Sequence, residues 1–124
     1  LKDDAVVHTQ AVQSGLDGLK MRIQGPDYLV GVESPLIGAY NVLNILAAFS
    51  AAGEGLGIAP EMAAKGVSRL GGVPGRMEPI ELGQPFTAID DFAHTPNALK
   101  RALETARHDR SVVGRLAVQS SLLQ

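Results

Sequence analysis

The 124-residue chain has no cysteine, which excludes disulfides, thiolate nucleophiles and cysteine zinc sites. Tryptophan is absent too, and aromatic residues make up only 4%, so a core must be mostly aliphatic. Neither sign of charge dominates. Eleven Lys and Arg face thirteen Asp and Glu, a formal net charge of −2, which disfavours a nucleic-acid partner held by bulk charge. The longest apolar stretch, around residues 45–49, is too short and too interrupted by Asn and Ser to span a bilayer, so no membrane partner is expected. Leu1-Lys2-Asp3-Asp4 lacks the basic start and apolar run of a secretory signal, so a cytoplasmic location is expected. The chain also starts without Met and is expected to be cut from something longer. A Gly-x-x-x-x-Gly-Lys-Ser/Thr phosphate loop is missing. No Ser-His-Asp grouping is suggested, and His8 and His108 are isolated.

What remains describes a folded, turn-rich chain. Hydrophobic residues are 45% and charged residues 19%, with 14 Gly and 7 Pro, a composition that supports a packed core. Ala5-Val6-Val7-His8-Thr9 is a short β-prone run. Leu19-Lys20-Met21-Arg22-Ile23 alternates apolar and charged, Gln24-Gly25-Pro26-Asp27 is turn chemistry, and a partner run follows, so a hairpin is expected over 17–33. At Asn41 the period changes. Val42, Ile45, Leu46 and Phe49 recur at helical spacing, predicting a helix over 41–53 that Gly53, Gly55 and Gly57 end. Pro60 suits the first position of a helix over 60–70, stopped by Gly71-Gly72. Strands are expected over 76–82 and 86–91. Thr95-Pro96 is an N-cap and first position for a helix over 96–108. The fold class is therefore mixed α/β, with a boundary near Gly71 to Gly75.

Three polar clusters sit beside Gly or Pro. In Gly38-Ala39-Tyr40-Asn41-Val42-Leu43-Asn44, the two Asn lie on neighbouring positions of one helix face. Asn41 either simply caps the helix, or one amide caps while the other presents a donor and acceptor to a base edge. In Pro74-Gly75-Arg76-Met77-Glu78, Arg76 either forms a solvated pair with Glu78 or clamps phosphate or carboxylate. In Ile89-Asp90-Asp91-Phe92-Ala93-His94-Thr95-Pro96, an apolar strand ends before a helix N-terminus, where α/β sheets form ligand crevices. Asp91 can accept from ribose hydroxyls and His94 can sit against phosphate; alternatively, the acids solvate a strand end and His94 packs. A metal site from Asp90, Asp91 and His94 is disfavoured, because adjacent acids on a strand point to opposite faces.

In this order the clusters resemble the Mur ligases, ATP-dependent amide-forming enzymes of peptidoglycan synthesis. Gly38-x-Tyr40-Asn41-x-x-Asn44-x-x-Ala47-Ala48, Gly75-Arg76-Met77-Glu78 and Asp91-Phe92-Ala93-His94-Thr95-Pro96-Asn97-Ala98-Leu99 carry the resemblance. The third is similar to the Asp-Tyr-Ala-His-Thr-Pro-Asp-Ala-Leu pattern of the MurE type, which adds the third residue of the stem peptide. The resemblance implies that residues 1–73 end the central ATPase domain and that 74–124 are the hinge and start of the Rossmann-like C-terminal domain. It places Asn41 and Asn44 at the adenine, Arg76 and His94 at the phosphates and Asp91 at the ribose. It implies ATP and Mg2+ as cofactors, and in the intact enzyme a UDP-muramoyl-dipeptide to which meso-diaminopimelate or L-lysine is joined. The alternatives are another member of the superfamily, such as a murein peptide ligase or folylpolyglutamate synthase, or a non-catalytic truncated module. The family's phosphate loop and carbamylated Lys are missing, so this chain alone is expected to be inactive and to hold neither catalytic nor metal-binding residues. Phe92 stands where the family usually has Tyr. After Arg110 the family's strand and Gly-rich turn are replaced by Leu116-Ala117-Val118-Gln119-Ser120-Ser121-Leu122-Leu123-Gln124.

Overall fold

A computed structural model describes residues 6–108. Three strands, β1 (His8–Gly15), β2 (Gly18–Gln24) and β3 (Leu29–Ser34), form an antiparallel sheet in the order β1-β2-β3. The alternation in β2 sets its faces: Leu19, Met21 and Ile23 are buried, while Lys20 and Arg22 are exposed. The β2–β3 pair is the expected hairpin, in register from Leu19↔Ser34 to Gln24↔Leu29. The Gln24 side-chain amide closes its turn by donating to the Gly25 and Tyr28 carbonyls at 2.7 and 3.0 Å. Gly18 sits at φ 117°, and a Cβ there would strike the Ser34 carbonyl, so this close approach requires glycine.

β1 is longer than its short β-prone run suggested. It continues through the stretch Gln10 to Gly15 and pairs with β2 through a two-residue loop, Gly15↔Gly18. A register shift between Gln10 and Gln13, with Ala11 at φ 50°, marks a bulge. Ala5 lies outside the described residues.

Helix α1 (Asn41–Ser50) buries Val42, Ile45, Leu46 and Phe49. Gly53 and Gly55 do not end it, as the sequence predicted. The chain continues as a π-helical turn over Ala51–Gly55, and only at Gly57, with φ 67°, does it turn away. Ile58 N–H then donates to the Ala52 carbonyl at 3.0 Å. α2 (Pro60–Ser68) starts on Pro60 as expected, carries Glu61 in its first turn and stops two residues short of the predicted end. The core unites β2, β3, α1 and Ala64 of α2, with Phe49 at its centre.

Beyond Gly72 the packing changes character. β4 (Glu78–Ile80) and β5 (Ala88–Asp90) form a short antiparallel hairpin, and α3 (Pro96–His108) follows over the predicted span. Both strands are shorter than predicted; Met77, at φ 48°, cannot extend β4 backwards. Met77 is the buried large side chain of this half among the described residues, while Leu82, Phe86 and Phe92 are exposed. The sheet pairing described here is antiparallel throughout; the parallel pairing of a Rossmann-like unit is not among the described residues.

The Tyr28 ring lies 6.1 Å from that of Phe49, yet its buried hydroxyl has no hydrogen-bond partner among the described residues. The two rings should therefore respond in opposite directions to truncation. Phe49→Ala should cost about 3–5 kcal/mol of stability. Tyr28→Phe, which removes a desolvated hydroxyl and little volume, should be neutral or stabilising by up to about 1 kcal/mol. Urea unfolding of the two variants beside the parent measures both.

Candidate functional site

The first cluster is built on the turn into α1. Asn41 N–H donates to the Gly38 carbonyl at 3.0 Å, and Val42 N–H to that of Ala39 at 3.2 Å. Asn41 does not cap the helix: the N-cap position is Tyr40, in helical conformation and without a side-chain cap bond. The Asn41 side chain points back instead. Its Nδ2 donates to the Ile37 carbonyl at 2.8 Å, and its Oδ1 accepts from Asn44 Nδ2 at 3.0 Å. Asn41 is 6% exposed and its amide is committed to the protein. Asn44 is exposed, and keeps its Oδ1 and one amide hydrogen at the surface.

The second cluster is a turn that Pro74 and Gly75 shape. Arg76 N–H closes it on the Val73 carbonyl at 3.0 Å, with Gly75 at φ 67°. Pro second and a left-handed glycine third is the chemistry of a type II turn. The anticipated Arg76–Glu78 ion pair is not formed. Glu78 accepts the Gly75 N–H at 2.9 Å, and among the described residues the ion pairs are Lys20–Glu33 and Lys100–Glu104. Arg76 is left exposed, its Cζ 5.7 Å from the centroid of the Phe92 ring.

The third cluster meets the second at the base of the β4–β5 hairpin. Asp91 does not merely solvate a strand end. Its Oδ2 accepts the Met77 N–H at 2.9 Å, and its Oδ1 accepts the Ala93 N–H at 2.8 Å. Phe92 N–H adds a bond of 2.7 Å to the Gly75 carbonyl. Asp90 is exposed. His94 Nδ1 lies 2.9 Å from the Phe92 carbonyl. That oxygen can only accept, so Nδ1 carries the hydrogen, and Nε2 of the neutral ring is the acceptor on the opposite side. The His94 and Phe92 rings meet edge-on at 4.9 Å. Thr95 caps α3 as expected, its Oγ1 accepting the Ala98 N–H at 3.3 Å.

Tyr40 links the first cluster to the other two. Its hydroxyl is held above the ordinary phenol pKa, chiefly by burial and next by the Asp91 carboxylate, while the Arg76 guanidinium acts in the opposite direction. Its ring lies over Gly38, whose φ is 98°. A Cβ there would come 2.6 Å from Tyr40 Cε1, so glycine keeps the ring in place. The structure thus brings Arg76, Asp91 and His94 together around Phe92, and Tyr40 feels the charges of Asp91 and Arg76. Tyr40 and Phe92 were named in the motifs but given no role at the site from the sequence. The signals that point to them are a tyrosine two residues after a left-handed glycine, and an aromatic residue directly beside Asp91. No group of three or more His, Asp or Glu side chains among the described residues could hold a metal ion, and Asp90, Asp91 and His94 do not converge as one. No described helix is long and apolar enough to cross a membrane.

Comparison with known proteins agrees with this arrangement of motifs. A family profile for the Mur ligase glutamate ligase domain matches residues 75–122. The chain is 42% identical over 104 residues to the UDP-N-acetylmuramoyl-L-alanyl-D-glutamate–2,6-diaminopimelate ligase of Solibacter usitatus, an alignment covering 84% of this chain and 21% of that protein. Its counterpart in Geobacillus kaustophilus is 37% identical over 107 residues, covering 86% and 22%. A crystal structure of the UDP-N-acetylmuramoylalanyl-D-glutamyl-2,6-diaminopimelate–D-alanyl-D-alanyl ligase of Acinetobacter baumannii superposes with a TM-score of 0.76 at 25% identity, covering 84% of this chain and 23% of that one. A solved UDP-N-acetylmuramoyl-L-alanyl-D-glutamate–2,6-diaminopimelate ligase superposes at 0.69 and 33% identity, covering 86% and 21%. The chain spans about a fifth of the length of the curated relatives it matches. With its motifs, its mixed α/β backbone and its sequence all aligned to the same enzymes, the chain belongs to the Mur ligase family of ATP-dependent ligases.

Proposed function

We propose that this chain is a segment of a MurE-type ligase, and that it supplies part of the nucleotide site. In that reading the intact enzyme joins diaminopimelate to UDP-N-acetylmuramoyl-L-alanyl-D-glutamate in the cytoplasm, at the expense of ATP. A substrate carboxylate takes a phosphoryl group, and the amine of the incoming amino acid displaces it. The names of the sequence relatives favour diaminopimelate over L-lysine. The likeness to a folylpolyglutamate synthase, at 19% identity, and to a murein peptide ligase, at 24%, speaks for a shared fold alone. Residues 1–73 are the end of the central domain, and 74–124 the hinge and start of the C-terminal domain. Support comes from the profile match beginning at Gly75 and from the apolar core lying before Gly71.

The observation that carries the reading is the joining of the second and third motifs, where Asp91 accepts the Met77 N–H at 2.9 Å, Phe92 N–H donates to the Gly75 carbonyl at 2.7 Å and Arg76 stands 5.7 Å from the Phe92 ring centroid. Within that reading, Asn44 presents its free amide groups to the adenine and Asn41 holds Asn44 in place. Asp91 takes ribose hydroxyls on lone pairs that Met77 and Ala93 leave open, since each carboxylate oxygen accepts two bonds. Arg76 and His94 face the phosphates, where the fixed cationic guanidinium of Arg76 stabilises a transferring phosphoryl group. In this reading the magnesium ligands and the sites for the UDP-linked substrate and the amino acid belong to other parts of the intact enzyme.

In the full-length ligase carrying this segment, Arg76→Ala should weaken ATP binding about tenfold to hundredfold, the loss of a charge-assisted contact. Its melting temperature should barely move, because the Arg76 side chain is exposed. Titration calorimetry with a non-hydrolysable ATP analogue reads the affinity, and an unchanged value would remove the nucleotide reading. The two asparagines should separate in the same assay. Asn44→Ala should lose mainly nucleotide affinity. Asn41→Ala should lose mainly stability, about 1–3 kcal/mol, because it leaves the buried Ile37 carbonyl unpaired.

The 124-residue chain by itself should release no phosphate above background from ATP, magnesium and UDP-muramoyl-dipeptide. Turnover that survives repurification would show that the segment suffices for catalysis.

A further inference from the structure

The 75–78 turn holds a conformation that its own sequence does not favour. Gly75 accommodates φ 67° without cost to a side chain, but Met77 is at φ 48° with a Cβ and is 2% exposed. Its N–H is captured by Asp91 Oδ2 at 2.9 Å, while Oδ1 of the same carboxylate captures Ala93 N–H at 2.8 Å. The last backbone pair of the hairpin is Glu78↔Asp90, so the Asp91 side chain continues the ladder where the backbone leaves it. Two further bonds close the same base: Gly75 N–H on Glu78, and Phe92 N–H on the Gly75 carbonyl. Arg76 immediately precedes Met77, and Phe92 immediately follows Asp91. Fixing the two backbones therefore holds Arg76 and Phe92 within reach of each other, where Arg76 Cζ lies 5.7 Å from the Phe92 ring centroid and the His94 ring 4.9 Å from that of Phe92. Arg76, Phe92 and His94 are all exposed, so burial does not align them.

We propose that Asp91 is a positioning residue, whose carboxylate clasps the 75–78 turn to the end of β5 and so aligns Arg76, Phe92 and His94 as one row for the phosphates of a nucleotide. The proposal rests on the nucleotide reading above and deepens it. Asp91 acts on the phosphates through Arg76, besides any contact of its own with ribose. For this reason Asp91→Ala, which removes clasp and ribose acceptor together, cannot tell the two roles apart.

Gly75→Ala tests the clasp without touching a ligand group. A Cβ on Gly75 meets nothing within 4 Å, so this substitution acts only through backbone at positive φ. In the full-length ligase, Gly75→Ala should raise the KM for ATP roughly fivefold with little change in kcat. In an Arg76→Ala background it should add nothing further, because both changes disable the same guanidinium. Effects that multiply in the double variant, or a Gly75→Ala enzyme with unchanged KM, would overturn the clasp.

Amide hydrogen exchange provides a readout independent of nucleotide. At least one of the Met77 and Ala93 N–H groups should exchange at least about tenfold faster in Asp91→Asn, which keeps one acceptor oxygen and turns the other into a donor, while the amides of β2 stay as slow as in the parent. Equal rates at Met77 and Ala93 in parent and variant would sink the proposal, and so would faster exchange throughout β2, the mark of general destabilisation. If Asp91→Asn does not fold, the Gly75 and Arg76 cycle decides. An unchanged ATP KM in Arg76→Ala would remove the nucleotide reading, and with it the ligand half of this proposal; the exchange rates then decide the clasp itself.

Discussion

The Asp91 carboxylate accepts two backbone N–H groups, at 2.9 and 2.8 Å, from segments on either side of the β4–β5 hairpin. Around it there is little apolar interior: Leu82, Phe86 and Phe92 face solvent, and Met77 is the large side chain that is buried. In a half with so small a core, the free energy of ordering the chain must come from directional bonds. A charged acceptor gives stronger bonds than a neutral one. The left-handed Met77, the short strands and the exposed Arg76–Phe92–His94 row all follow from where that carboxylate pulls the backbone.

The first half is ordered by the opposite means. Phe49 and the alternating face of β2 close a sheet-on-helix core, and polar groups enter it only when satisfied, as Asn41 does through Ile37 and Asn44. Tyr28 is the exception, with a buried hydroxyl that meets no partner among the described residues. Because α1 is locked by its buried stripe, the turn at its start is locked as well. The position of Tyr40 over Gly38 is thus a consequence of core packing, although Tyr40 is itself only half-buried.

The parts legible in the sequence were those with a strong period or a fixed-φ residue at a boundary. The β2 alternation, the α1 stripe, and Pro60 and Pro96 as first helical positions placed a hairpin and three helix starts correctly. β1 was underestimated because Gln10 to Ser14 is exposed on both faces: an edge strand with no buried side writes no alternation. The helix stop at Gly53 failed because glycine only weakens a helix, and wider π-type bonding carried the turn to Gly55. Of the five site residues, Asn41 and Asn44 stand at the expected helix start and His94 in the expected loop, while Arg76 and Asp91, expected as strand ends, lie just outside β4 and β5; the bonding of all five was not legible. Asn41 was expected to cap and instead reaches backwards. Asp91 was expected to face a crevice, and its carboxylate also ties backbone together. Short-range pattern fixes which residues stand at a turn; it does not say which of two nearby N–H groups a carboxylate will find.

These two modes of ordering bear on how the segment can work. The core side holds Tyr40 and Asn44 rigidly, with both anchored to α1. The hairpin side holds Arg76 and His94 through a handful of hydrogen bonds, with little packing behind them. A hydrogen-bonded turn with left-handed residues on both sides of Arg76 can reorient as a unit while the core stays still, which is the behaviour asked of a hinge. On the proposed reading, a nucleotide bound between the two sides would add contacts to the half that has fewest, so its binding would stabilise the hairpin base more than the sheet. The same carboxylate that substitutes for a core would then be the group through which the ligand, by way of Arg76, restrains the hinge.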